Sequence, residues 1–231
     1  MSGTRKGWAL AASIGTVLAI VVAAFLILKP GGKTVDPAVT ARRTVEILAE
    51  HGIEVSQVEG WEERQGSSAG IRLEPEGVVV HHTGSASTDP ALVTEGRNDL
   101  PGPLANWFVD KSGKVFLIAS GYSNNAGYGG KDAFAQIVGG QVDHELAAAA
   151  TDGDWSANSH AWSVEADGRG KWPKKTRAAL VKLVAAIHQA EGWKHARVIG
   201  HKELTRRKPA DPADDMGKFR KDVLKTLKKW G

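Results

Sequence analysis

The chain of 231 residues contains no cysteine. This excludes thiol nucleophiles and thiolate metal sites, so any catalytic metal must be held by imidazole and carboxylate. It says little about redox compartment, because a domain of this size folds without disulfides. Excess charge is also scarce: the net charge is only +4, which ordinary solubility explains better than attraction to an anionic wall or membrane surface. No interleaving of basic and aromatic residues is specific enough for nucleic acid, so no nucleic-acid partner is expected. No serine-nucleophile elbow, paired-carboxylate glycosidase pattern or internal repeat stands out.

Long apolar runs are rare as well, with one exception. Trp8 to Leu28 is uncharged throughout, and as a helix it spans about 30 Å, the thickness of a bilayer core. A cleaved signal peptide with Arg5 and Lys6 as its basic start is the competing reading. The run exceeds the roughly 7–15 residues of such a segment, and Lys29-Pro30 follows without a small-x-small site. The expected organisation is a short cytoplasmic N-terminus (1–7), a transmembrane signal-anchor helix (8–28), a linker (29–36) and one domain (37–231). Lys29 and Lys33 nearly balance Arg5 and Lys6, so charge alone gives little orientation. Many small residues make the run only moderately hydrophobic, which is compatible with release from a bilayer.

Within the domain, Asp36-Pro37 predicts a helix start, with Gly52 as its stop. Val78-Val79-Val80, Lys114–Ser120, Ala161–Ala166 and Arg197–Gly200 read as strands. Pro173–Gly192 is the clearest helix, with Leu180, Leu183, Val184 and Ile187 on one face. A last helix from about Pro212 to Trp230 buries Met216, Phe219, Val223 and Leu227 and turns its lysines to solvent. The mixture predicts an α/β fold: a single domain with a central mixed sheet flanked by helices, preceded by the transmembrane helix.

Two of the four strands run into histidine, at His81-His82 and at His201. Neighbours on a strand face opposite ways, so only one of His81 and His82 can join a shared site. Two imidazoles with a carboxylate such as Asp211 form a three-ligand set with one open position, the catalytic zinc arrangement. Six of the tryptophans, Trp61, Trp107, Trp155, Trp162, Trp172 and Trp193, are candidates for glycan stacking, but core packing is expected for most.

The order of motifs carries a resemblance. Val78-Val79-Val80-His81-His82-Thr83, Gly96 to Leu104 with Asp110 to Gly121, Ser163-Val164-Glu165-Ala166, Ile199 to Glu203, Arg207 to Pro212, Asp215-Met216 and Phe219-Arg220 follow one another. With Gly60-Trp61 and Arg64 they resemble, over about residues 37–225, the zinc-dependent N-acetylmuramoyl-L-alanine amidases and peptidoglycan recognition proteins. The similarity is greatest to phage endolysins acting on actinobacterial hosts.

The resemblance implies His82, the histidine directly before threonine, together with His201 and Asp211, as zinc ligands. It implies Glu165 as general base and Lys208 as the cation that stabilises the oxyanion. Two residues, Pro209 and Ala210, separate Lys208 from Asp211 where the family usually has one, and Asp214 is a weaker ligand candidate. Asn124-Asn125 stands where many lysins carry a histidine, and Ala105 where some carry a tyrosine. Without those groups, proton transfer falls to Glu165.

The implied reaction is hydrolysis of the amide between N-acetylmuramic acid and L-alanine of the stem peptide, by zinc-activated water, in an endolysin that lyses its host. A monomer that binds peptidoglycan is expected, with its domain on the cell-wall side of the membrane and its N-terminus inside. The rival readings are a non-catalytic peptidoglycan-binding module and a zinc peptidase that cuts within the stem.

Overall fold

Asp36 and Pro37 start the first helix as the sequence predicts: the Asp36 carboxylate accepts the Ala38 N–H at 2.9 Å, and proline occupies the first turn. The computed structural model describes residues 35–67, 70–140, 142–146, 153 and 155–231. In chain order the first elements are α1 (Pro37–Glu50), β1 (Val55–Gln57), β2 (Gly77–His82), α2 (Pro90–Glu95), β3 (Gly96–Arg97) and β4 (Leu100–Pro101). Then come β5 (Trp107–Val109), β6 (Val115–Leu117), β7 (Tyr128–Gly129), α3 (Lys131–Gly139) and β8 (Trp155–Ser156). A 3₁₀ turn (Ala157–Ser159) leads to β9 (Ala161–Ala166), α4 (Lys174–Glu191), β10 (Val198–Gly200), α5 (His201–Leu204) and α6 (Met216–Trp230).

Six strands form one sheet in the order β1-β6-β5-β9-β2-β10. All neighbours are parallel except β5 and β6, so the sheet is mixed. The two pairs β3-β4 and β7-β8 lie apart from it.

Alternation along the strands separates two faces. Val78 and Val80 of β2, Trp162 and Val164 of β9 and Val198 of β10 pack with the apolar stripes of α1, α4 and α6. Val79, Ala161 and Ile199 face the other way and pack with Phe134 and Ile137 of α3 and Leu204 of α5. On this second face β2 and β9 next present His81 and Glu165, which are register partners. His201 follows β10, two residues beyond Ile199.

These six tryptophans belong to the core. Trp61, Trp107, Trp162 and Trp172 are buried, while Trp155 and Trp193 are partly buried against the two clusters. The α4 stripe of Leu180, Leu183, Val184 and Ile187 is fully buried as expected, and Gly192 ends the helix at φ 70°. The last helix begins at Met216 rather than near Pro212, because Asp215 is its N-cap and accepts the Lys218 N–H at 2.8 Å.

The membrane-spanning part of the expected fold class is corrected. Among the described residues no helix is long and apolar enough to cross a membrane. The longest of them, α4, carries Lys174, Lys175, Arg177, Lys182 and Glu191, charges that a bilayer interior excludes. Residues 8–28, on which the transmembrane expectation falls, lie outside the described residues. The fold class that stands is a single mixed α/β domain. The single-pass localisation and the membrane as partner are withdrawn with the span.

One buried group gives the domain a pH dependence. His188 of α4 is fully buried and donates from Nδ1 to Val184 O at 2.7 Å. Burial outweighs that hydrogen bond and lowers its pKa to about 4, so the folded protein keeps it neutral. The unfolded chain takes up this proton near pH 6.5. The stability contributed is therefore complete above about pH 6.5 and is lost as pH falls to about 4, by about 3 kcal/mol in all. Urea unfolding of the metal-free protein is expected to show this loss, and His188→Leu to make the pH dependence shallower.

Candidate active site

The carboxyl ends of β2, β9 and β10 converge on an open cleft of about 180 Å³, the usual place for a ligand in a sheet of parallel strands. His81, Glu165, His201, Lys208 and Asp211 line it, as does His82. Leu92, Val93, Leu100 and Leu104 give the lining an apolar part, and Asn124 and Asn125 also contribute to it.

Three donors meet at its floor. His81 Nδ1 lies 3.0 Å from His201 Nδ1, and Asp211 Oδ2 lies 2.9 Å from His201 Nδ1 and 3.6 Å from His81 Nδ1. His201 Nε2 donates to Ala126 O at 3.1 Å. A carbonyl can only accept, so Nε2 carries the proton and a neutral His201 turns a bare Nδ1 toward the Asp211 carboxylate. Lone pairs converging at that distance call for a cation between them. Tetrahedral zinc with bonds of about 2.0–2.1 Å places its ligands about 3.3–3.4 Å apart, close to the separations found. The donor set therefore fits a zinc ion.

Of the three ligands the resemblance implies, the structure brings His201 and Asp211 together, with His81 rather than His82 beside them; among the described residues His81, His201 and Asp211 form the one group of donors placed to hold a metal. His82 stands on the opposite parity of β2. Its Nε2 donates to Ala210 O at 2.8 Å, and its Nδ1 lies 3.8 Å from Asp211 Oδ1. Its main-chain N–H donates to the same Oδ1 at 2.7 Å, so the backbone of His82 orients the carboxylate. Asp214 is engaged elsewhere, accepting from Arg177 Nε at 3.2 Å and from the Trp172 N–H.

Local electrostatics agree with this division. Burial lowers the pKa of His81 to about 4, helped by neighbouring His201, so the ring is neutral and able to coordinate. Burial tends to raise the Asp211 carboxyl, but the His201 and His81 rings beside it prevail and hold it well below the usual carboxylate range. Glu165 moves in the opposite direction. Burial, then repulsion from Asp211, raises its pKa well above normal, against the pull of Lys208. Its Oε2 is buried and has no partner among the described residues. The two intervening residues do not carry Lys208 out of reach. The Asp211 N–H donates back to Lys208 O at 3.1 Å, closing a turn that leaves the lysine on the cleft.

Asn124 donates to Pro101 O at 2.9 Å, and Ala105 is fully buried. Neither offers a titratable group.

A buried ion pair supports the floor from below. Arg220 grips Glu203 through both guanidinium nitrogens, at 2.8 and 2.9 Å, and both residues are buried. Glu203 Oε2 also accepts the Gly200 N–H at 2.9 Å, just before His201. Met216 and Pro212 press on Gly200 so closely that a Cβ there would sit 2.9 Å from Met216 Cγ. Replacing Arg220 by methionine leaves Glu203 charged and unpaired, and is expected to cost about 3–5 kcal/mol in urea unfolding. Replacing both members of the pair with apolar residues is expected to recover part of that loss.

Two imidazoles and a carboxylate beside a glutamate and a lysine, in an open cleft, make the layout of a hydrolytic site. The family described as N-acetylmuramoyl-L-alanine amidase matches residues 72–214, a span that contains all five of these groups, and the chain belongs to that family. No curated protein matches the chain. Among solved structures it is similar to the N-acetylmuramoyl-L-alanine amidase LysC from Clostridium intestinale URNW, at 11% identity and TM-score 0.49, covering 74% of this chain and 97% of that one. It is also similar to a mutant endolysin from Bacillus subtilis, at 17% identity and TM-score 0.46, covering 74% and 99%. A third similarity is to the Drosophila peptidoglycan recognition protein PGRP-SA, at 15% identity and TM-score 0.35, covering 61% and 75%.

Proposed function

We propose that this peptidoglycan amidase cuts the bond between the lactyl group of N-acetylmuramic acid and L-alanine with a zinc ion held by His81, His201 and Asp211, and that it serves as an endolysin. The observation that carries the metal is the bare His201 Nδ1 turned to the Asp211 carboxylate, with His81 Nδ1 beside it. Zinc supplies Lewis acidity there, polarising the amide carbonyl and making water acidic enough to lose a proton near neutral pH.

The chain's own groups do the rest. Glu165 Oε2, buried and unpartnered, takes the proton of the attacking water and returns it to the alanine nitrogen as the C–N bond breaks. The Lys208 ammonium stands at the cleft to balance the negative charge that develops on the carbonyl oxygen, an effect worth about 3 kcal/mol per donor.

Mass spectrometry of products from purified wall tests this reading. With zinc present, free stem peptides beginning at L-alanine are expected, and a chelator is expected to abolish them. Cuts within the stem would instead indicate a peptidase, and wall binding without products a non-catalytic module.

A further inference from the structure

The ring nitrogen that His201 offers to the site is decided by what its other nitrogen meets, and that partner is Ala126 O. The carbonyl belongs to the peptide unit joining Ala126 to Gly127. The N–H of the same unit donates to Asn158 Oδ1 at 3.0 Å. In a planar trans peptide the N–H and C=O point in opposite directions, so this peptide lies between Asn158 on one side and His201 on the other.

Asn158 is buried, and its Oδ1 also accepts the Ala126 N–H at 2.9 Å. The Ala126 N–H has a second acceptor close by in Asn125 Oδ1, whereas Asn158 is the acceptor that orients the Gly127 N–H. The two backbone N–H groups fix this end of the amide as oxygen, and the Asn158 Nδ2 donates in turn to Tyr122 Oη at 3.2 Å. A backbone bond from Ala157 N to Gly127 O, at 3.1 Å, ties the same segments together. Asn158 occupies the turn that leads into β9, the strand bearing Glu165.

We propose that Asn158 is a positioning residue for His201. It orients and polarises the 126–127 peptide so that His201 is held as the Nε2–H tautomer, with Nδ1 presented to Asp211 and the metal. The polarisation follows from coupling within a hydrogen-bond chain: an amide whose N–H donates is a better acceptor at its oxygen. The metal half of this statement rests on the zinc reading above; the tautomer half stands on the hydrogen bonds alone.

The test compares the parent protein with Asn158→Ala and Asn158→Asp, the latter retaining acceptors for both N–H groups. Nitrogen–proton correlation spectra of the metal-free proteins report the His201 tautomer, and competition with a chromophoric chelator reports zinc affinity. The parent and Asn158→Asp are expected to show the Nε2–H form and similar affinities. Asn158→Ala is expected to show mixed tautomers and a zinc affinity about 10–100-fold lower. Should the alanine variant not fold, Asn158→Ser, which has a shorter acceptor, takes its place. An unchanged tautomer and affinity in the folded alanine or serine variant would overturn the proposal, as would equal loss in the aspartate variant. If the parent bound no zinc, the metal reading would fall, and the tautomer spectra would still decide the role of Asn158.

Discussion

Replacing His81 with alanine is expected to reduce amide hydrolysis on purified peptidoglycan by more than about 10³-fold, while His82→Ala costs less than about 10-fold. The difference follows from how each residue meets Asp211. His81 contributes a buried imidazole whose Nδ1 lies among the other two donors. Its loss leaves two ligands where a catalytic zinc needs three. His82 serves Asp211 through its main-chain N–H, which alanine retains. What alanine removes is the ring's hydrogen bond to Ala210 O, worth about 1 kcal/mol. Zinc content measured on both variants checks the cause: it is expected to fall in the first and persist in the second. The reverse order of losses would return the ligand role to His82.

Glu165→Gln is expected to lower kcat by about 10²–10⁴-fold with zinc content unchanged. Glutamine preserves the volume and leaves the neighbouring donors in place, but it cannot take a proton from water. Of the other residues near the cleft, Asn124 and Asn125 do not titrate near neutrality, Ala105 is buried and apolar, and the His82 ring is engaged with Ala210 O. The environment of Glu165 suits the role. Desolvation raises its proton affinity and Lys208 restrains that rise, which brings the carboxyl toward the range where it can both accept and return a proton. Steady-state hydrolysis of a soluble muramoyl peptide, compared at equal zinc occupancy, measures the effect. Activity within a few-fold of the parent would remove Glu165 from proton transfer.

The first of these expectations turns on a choice that strand alternation left between His81 and His82 and that the resemblance gave to His82. The alternation of β9 is legible in Trp162, Val164 and Ala166, apolar and core-facing, against Ser163 and Glu165. In β2 the run Val78-Val79-Val80 is buried on both faces, so no apolar–polar alternation indicates whether His81 or His82 turns to the cleft. The parity of β2 becomes visible only through pairing, which sets His81 beside Glu165. Strand β5 was not anticipated: Trp107-Phe108-Val109 is only three residues long and fully buried between β6 and β9, and so short a run has no period to read. Among the helices, the α1 cap, the α4 stripe and the lysine-faced α6 follow from local chemistry, with the start of α6 set by Asp215 rather than Pro212, whereas the shorter α2, α3 and α5 were not anticipated. The contact between Lys208 and the cleft, and the Asn158 support of His201, join residues far apart in sequence and required the fold.

The central claim is that His81, His201 and Asp211 together hold the metal of this amidase. Anomalous diffraction from zinc-soaked crystals, recorded on both sides of the zinc absorption edge, tests it most directly. One strong peak is expected about 2.0–2.2 Å from His81 Nδ1, His201 Nδ1 and Asp211 Oδ2. A peak bound by the His82 ring, or no peak at this cluster in zinc-loaded protein, would contradict it.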